Sequence, residues 1–96
     1  MASDAIAAGN AYLNFDQPAK AAELYEFALT QPGVDQSLAL TRLGMAQAKA
    51  GDAAAATATL AKVQGDRAPI ARLWATYAEQ QASGGMGNGM SASTAN

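Results

Sequence analysis

Residues 7–28, AAGNAYLNFDQPAKAAELYEFA, align without a gap under residues 42–63, RLGMAQAKAGDAAAATATLAKV. Gly9 falls on Gly44, Ala21 on Ala56, Tyr25 on Leu60 and Ala28 on Val63, each pair 35 residues apart. A glycine inside a helix costs about 1 kcal/mol relative to Ala, so its recurrence at a fixed spacing needs a structural reason. Close approach of a partner helix supplies one, because a larger side chain at Gly9 or Gly44 would hold the two helices apart. Ala21 and Ala56 then serve the facing surface in the same way. Tyr25 and Leu60 fill the space that remains. A later stretch extends the register with a step of 34, from Leu40 to Trp74, Leu43 to Tyr77 and Gly44 to Ala78. The pattern predicts units of two helices repeated along the chain.

Composition agrees. Half of the 96 residues are hydrophobic, but Ala dominates them and aromatics make up only 6%. That set favours close-packed helices over a sheet, which would want Val, Ile, Thr and aromatics. Periodicity predicts five helices. The first is capped by Ser3 or Asp4 and runs to about Phe15, with Ala5, Ala8, Gly9 and Tyr12 on one face. Asp16 is the expected N-cap of the second, which tolerates Pro18 in its first turn and carries Ala21, Tyr25, Ala28 and Leu29. A third, about 36–50, aligns Leu40, Leu43, Gly44 and Gln47, and Gly51-Asp52 ends it and caps the next. The fourth runs from about Ala53 to Val63. The fifth, from about Arg67 to Ala82, carries Ile70, Leu73, Trp74, Tyr77 and Ala78, with Trp74 expected in the core. From Ser83 the sequence SGGMGNGMSASTAN has no charge and no period, so residues 83–96 are expected to form a flexible tail.

A period of 34–35 with these residues resembles the tetratricopeptide repeat (TPR) family, over about residues 2–82. Gly9, Tyr12, Ala21, Tyr25, Ala28 and Pro32 sit on or beside its signature positions in the first unit. Leu40, Leu43, Gly44, Gly51, Ala56 and Leu60 do so in the second, and Trp74, Tyr77 and Ala78 in the third. Gln47 departs from the pattern, which has an aromatic or Leu there, and Val63 departs where a small residue is usual. The resemblance implies an all-α fold of antiparallel helix hairpins stacked as a short right-handed α-solenoid. Its domain would be 1–82, with units of about 2–35 and 36–69 and a capping helix of about 67–82. It also implies a bacterial TPR-domain protein, of the cytoplasm or periplasm.

TPR units act as protein-interaction scaffolds, lining a concave face with the first helix of each unit. By resemblance that face would contain Ile6, Asn10, Leu13 and Asn14 from the first unit. Leu38, Thr41, Arg42, Met45 and Lys49 would follow from the second, and Arg72, Ala75, Thr76 and Glu79 from the last helix. Leu38 and Met45 also lie off the third helix's core stripe, as surplus apolar surface suited to a peptide. The expected partner is another protein or a peptide. The alternative is an architectural segment of a longer helical repeat protein, with weak self-association. One TPR subfamily clamps a C-terminal carboxylate with Lys, Asn and Arg. Only Asn10 and Arg72 approach that pattern, so that site is not expected.

Other classes are disfavoured. With no Cys and no His, the chain has no thiolate nucleophile, no imidazole base and no zinc-type ligand set. Glu23 and Glu26 on an Ala-rich helix read as a solvated surface pair with Lys20 nearby. Gly84, Gly85, Gly87 and Gly89 follow no strand, so no phosphate loop is expected. The chain is read as no enzyme, with no cofactor and no metal. A net charge of -2 gives no footprint for nucleic acid. No apolar run approaches a membrane span, and MASDAIAAGN lacks the features of a signal peptide.

Overall fold

The computed structural model describes residues 2–90, with side chains described through Ala82. Among these residues the fold is all-helical: α1 (Ala2–Asn14), α2 (Pro18–Leu29), α3 (Gln36–Lys49), α4 (Ala53–Leu60), a 3-10 turn (Gly65–Arg67) and α5 (Ala68–Met90). Each helix packs against the next, and α3 also packs against α5.

The 35-residue register extends into the turns. α1 ends with Gln17 N–H donating to Tyr12 O at 2.8 Å and Asp16 N–H to Leu13 O at 3.1 Å. α3 ends with Asp52 N–H donating to Gln47 O at 2.9 Å and Gly51 N–H to Ala48 O at 3.1 Å. Both are the same crossed pair of bonds, closed by a residue in the left-handed region. That residue is Gly51 (φ 90°) in one turn and Asp16 (φ 61°) in the other. Asp16 therefore ends α1 and does not cap α2, as the sequence had suggested. Gln17 takes the cap position without a side-chain bond, whereas Asp52 accepts from Ala55 N–H at 3.1 Å and caps α4.

Other boundaries also shift. α1 already begins at Ala2, so Ser3 and Asp4 lie in its first turn, where the charge of Asp4 suits the positive end of the helix dipole. α4 stops at Leu60 because its last turn tightens, with Lys62 N–H reaching Thr59 O and Val63 N–H reaching Leu60 O. α5 continues beyond Ala82, where the apolar period ends, to Met90. Once packed turns have nucleated a helix, each further residue adds one backbone bond. Residues 91–96 of the expected tail lie outside the described residues.

Two apolar clusters form the core. The first joins Ala5, Ile6, Ala21, Tyr25, Ala28, Ala39, Leu43 and Ala46, and so ties α1, α2 and α3 together. The second joins Ala48, Ala56, Leu60, Val63, Ala71 and Ala78, and ties α3 to α4 and α5. All four register pairs are buried on both sides. A Cβ on Gly9 would stand 2.6 Å from Tyr25 Cε1, and one on Gly44 would overlap Cγ and Cδ2 of Leu60. The two glycines thus admit the same kind of knob, 35 residues apart. Leu40 and Gln47 are only half-buried, and Tyr12 is exposed.

The third unit departs from the register. Leu43 is 5% exposed, but its counterpart Tyr77 is 45% exposed. α5 buries Ala71 and Ala78, and Ile70 and Leu73 face solvent with Tyr77. Trp74 is half-buried at the edge of the second cluster, with Tyr77 packed edge-on at 5.3 Å. The full core burial expected for Trp74 is not found. The physical reason is the small-residue stripe Ala71, Ala75 and Ala78, which lets α5 approach the preceding helices more closely than a Leu–Tyr face would.

Candidate functional site

α3 sits in the middle of the fold, and its sides have separate duties. Ala39, Leu43 and Ala46 face the α1–α2 pair, while Gly44 and Ala48 face α4 and α5. Leu38, Arg42 and Met45 fall on the remaining sector, half-buried, between α1 and α5.

A depression opens on each side of that ridge. One, of about 350 Å³, runs between α1 and the start of α3, with Ile6 and Asn10 on one wall and Asp35 and Leu38 on the other. The second, of about 260 Å³, runs between α3 and α5. Leu38, Thr41, Arg42 and Met45 form its α3 wall; Arg67, Ile70 and Trp74 form the opposite one. Leu38 belongs to both, so the two depressions adjoin.

A polar cluster underlies the ridge. Tyr25 reaches up from α2, fully buried, and its hydroxyl donates to Asn10 Oδ1. Burial raises the Tyr25 pKa above its ordinary value, and the nearby Arg42 charge pulls it partly back. The hydroxyl therefore stays protonated at neutral pH and fixes the Asn10 amide at the rim. Thr41 Oγ1 satisfies itself on Ser37 O at 2.7 Å. Arg67 Nη1 lies 3.6 Å from Asp35 Oδ2, and Lys49 Nζ stands 5.8 Å from the centroid of the Trp74 ring. The Oε1 atom of Gln47 is buried without a hydrogen-bond partner.

The residues expected from sequence are distributed unevenly. Ile6, Asn10, Leu38, Thr41, Arg42 and Met45 line the two depressions. Leu13 packs against the first core cluster, and Asn14 is exposed at the end of α1. Lys49 is exposed beside Trp74. Arg72 and Glu79 are exposed about 140–180° round α5 from Ile70 and Trp74, on the side away from the depression. The sequence reading of the face did not include Arg67, Ile70 and Trp74. The signal that would have found Ile70 and Trp74 is the Ala71–Ala75–Ala78 stripe, which sets the rotation of α5 and turns both toward α3; Arg67 lies in the 3-10 turn before it.

Comparison of the chain with family models, with curated proteins and with solved structures finds no match. The face presents apolar side chains, two guanidinium groups and an amide anchored by the Tyr25 hydroxyl. Among the described residues no group of three or more His, Cys, Asp or Glu could hold a metal ion. Among them, too, no helix is long and apolar enough to cross a membrane.

Proposed function

We propose that this chain is a TPR-like helical-repeat module that holds a peptide or an extended segment of a partner protein and carries out no chemistry itself. The observation that carries the reading is the ridge of α3 flanked by two adjoining depressions, walled by α1 and α5. On this reading α1, α3 and α5 are the first helices of successive units, and their meeting at one face supports a stacked solenoid. Pockets for small molecules usually measure about 300–1,000 Å³ and enclose their ligand. Two open depressions at or below the bottom of that range suit side chains of an extended segment. Random peptides selected on the wild-type chain and counter-selected on a Met45→Glu variant test the reading. Peptides that bind wild type and not the variant, with both proteins melting alike, support it. If counter-selection on the variant removes every peptide that binds wild type, the face is not the binding site.

A second reading, self-association, is favoured by the exposed apolar stripe of Ile70, Leu73 and Tyr77 on α5. Sedimentation velocity separates the two. A monomer whose mass does not depend on concentration removes the second reading.

A further inference from the structure

The depression between α3 and α5 carries charge of one sign. Its charged lining residues are Arg42 and Arg67, and Lys49 stands over the Trp74 ring at its edge. Three of the chain's six basic residues therefore gather here, in a protein of net charge -2 with eight acids. Asp35 is the acid that pairs with this cluster. Its Oδ1 accepts from Leu38 N–H at 3.1 Å to cap α3, and its Oδ2 meets Arg67 at 3.6 Å. Arg67 and Asp35 are 41% and 53% exposed, so that pair is weak and a partner's carboxylate competes with it readily. Arg42 has no ion pair among the described residues. Between these cations the surface is apolar, made by Leu38, Met45, Ile70 and Trp74.

We propose that this depression binds an acidic peptide segment. One apolar side chain of the peptide seats on Met45, Ile70 and Trp74, and flanking carboxylates lie against Arg42, Arg67 and Lys49. The proposal rests on the peptide-face reading above and narrows it to one chemical class of partner. Apolar contact supplies affinity, and the ring of cations steers encounter and rejects basic segments. A nucleic acid fits poorly, because its phosphates need a cationic track along the protein, whereas here three basic residues form a local cluster on a chain with eight acids and a net charge of -2.

Trp74 is the chain's single tryptophan and stands in the wall of the site, so its emission reports occupancy directly. Short random peptides lacking Trp are selected on the full chain, and the winners are synthesised. The expected winners carry Asp or Glu on both sides of a Leu, Ile or Phe, and each shifts Trp74 emission. Arg42→Gln combined with Arg67→Gln should weaken them about tenfold, with an unchanged melt. Raising salt from about 0.1 M to about 1 M, which shortens the screening length from about 10 Å to about 3 Å, should weaken them comparably. Winners that are neutral or basic but still shift Trp74 overturn the acidic class and leave the peptide face standing. Winners that leave Trp74 emission unchanged and bind the Met45→Glu variant as well as wild type overturn both.

Discussion

Gly44 and Leu60 set a test of sign at single residues. Helix propensity alone makes Gly44→Ala stabilising by about 1 kcal/mol. The new Cβ, however, would overlap Cγ and Cδ2 of Leu60, and overpacking of this kind costs about 1–3 kcal/mol. Gly44→Ala is therefore expected to lower stability in denaturant melts. In a Leu60→Ala background the obstacle is gone, and the same change should raise stability by up to about 1 kcal/mol. Equal effects in both backgrounds would separate Gly44 from Leu60. Tyr25 sets a second test, through pH. Its folded pKa lies above the ordinary 10.0, chiefly because burial disfavours the phenolate. Above pH 10 the unfolded chain loses this proton first, so the native state binds more protons and stability falls as pH rises toward the folded value. Below pH 10 the contribution is fully present. Tyr25→Phe should lose the hydrogen bond to Asn10, costing about 1 kcal/mol, and flatten this part of the stability profile above pH 10. An alkaline slope identical in Tyr25→Phe would assign it to other groups.

The two hairpins solve one geometric problem with different residues, so each can be rewritten from the other. The first turn places Asp16 in the left-handed region and leaves α2 without a side-chain cap; the second uses Gly51 and a capping Asp52. Asp16→Gly removes a left-handed penalty of about 1 kcal/mol, and Gln17→Asp adds a cap of about 0.5–2 kcal/mol. The double variant is expected to melt higher than wild type; a lower melting temperature would mean that the two turns are not equivalent. The sequence made the pairing within each hairpin legible, because a glycine opposite a Tyr or Leu knob is a strong signal when it recurs at a fixed spacing. It concealed the turn at Asp16, since an Asp before a Pro-bearing helix reads equally as a cap. It also concealed the rotation of α5. Large residues dominate a periodicity reading, so Leu73 and Tyr77 outweighed the alanines that in fact face inward. That one rotation carried Arg72 and Glu79 off the candidate face and brought Ile70 and Trp74 onto it, while Arg67 joins it from the preceding 3-10 turn. The α3 part of the face was legible because Leu38 and Met45 had no place on the core stripe.

Across the whole molecule, α3 is the one described helix that contributes to both core clusters. The candidate face straddles the same helix, so its geometry depends on both halves holding together. Neither cluster contains a fully buried side chain larger than Tyr25, and much of each is Ala. Such small clusters give each half little stability of its own, which makes coupling through α3 the condition for a single cooperative unit. Ala46→Gly tests that coupling. Ala46 is fully buried in the first cluster, and its replacement costs about 1 kcal/mol in helix propensity and about 0.8 kcal/mol in buried methyl. At about 4–8 °C per kcal/mol for a chain of this size, the melting temperature should fall by about 7–14 °C. Far-UV ellipticity reports all the helices, whereas Trp74 emission reports the second cluster, which Ala46 does not join. If α3 couples the halves, both probes fall together by the same amount. If Trp74 keeps its wild-type midpoint while ellipticity is lost in an earlier step, α1 and α2 unfold from a surviving α4–α5 body. The depression beside α1 would then open independently of the one beside α5, and a ligand spanning both would stabilise the variant more than one confined to the α5 side.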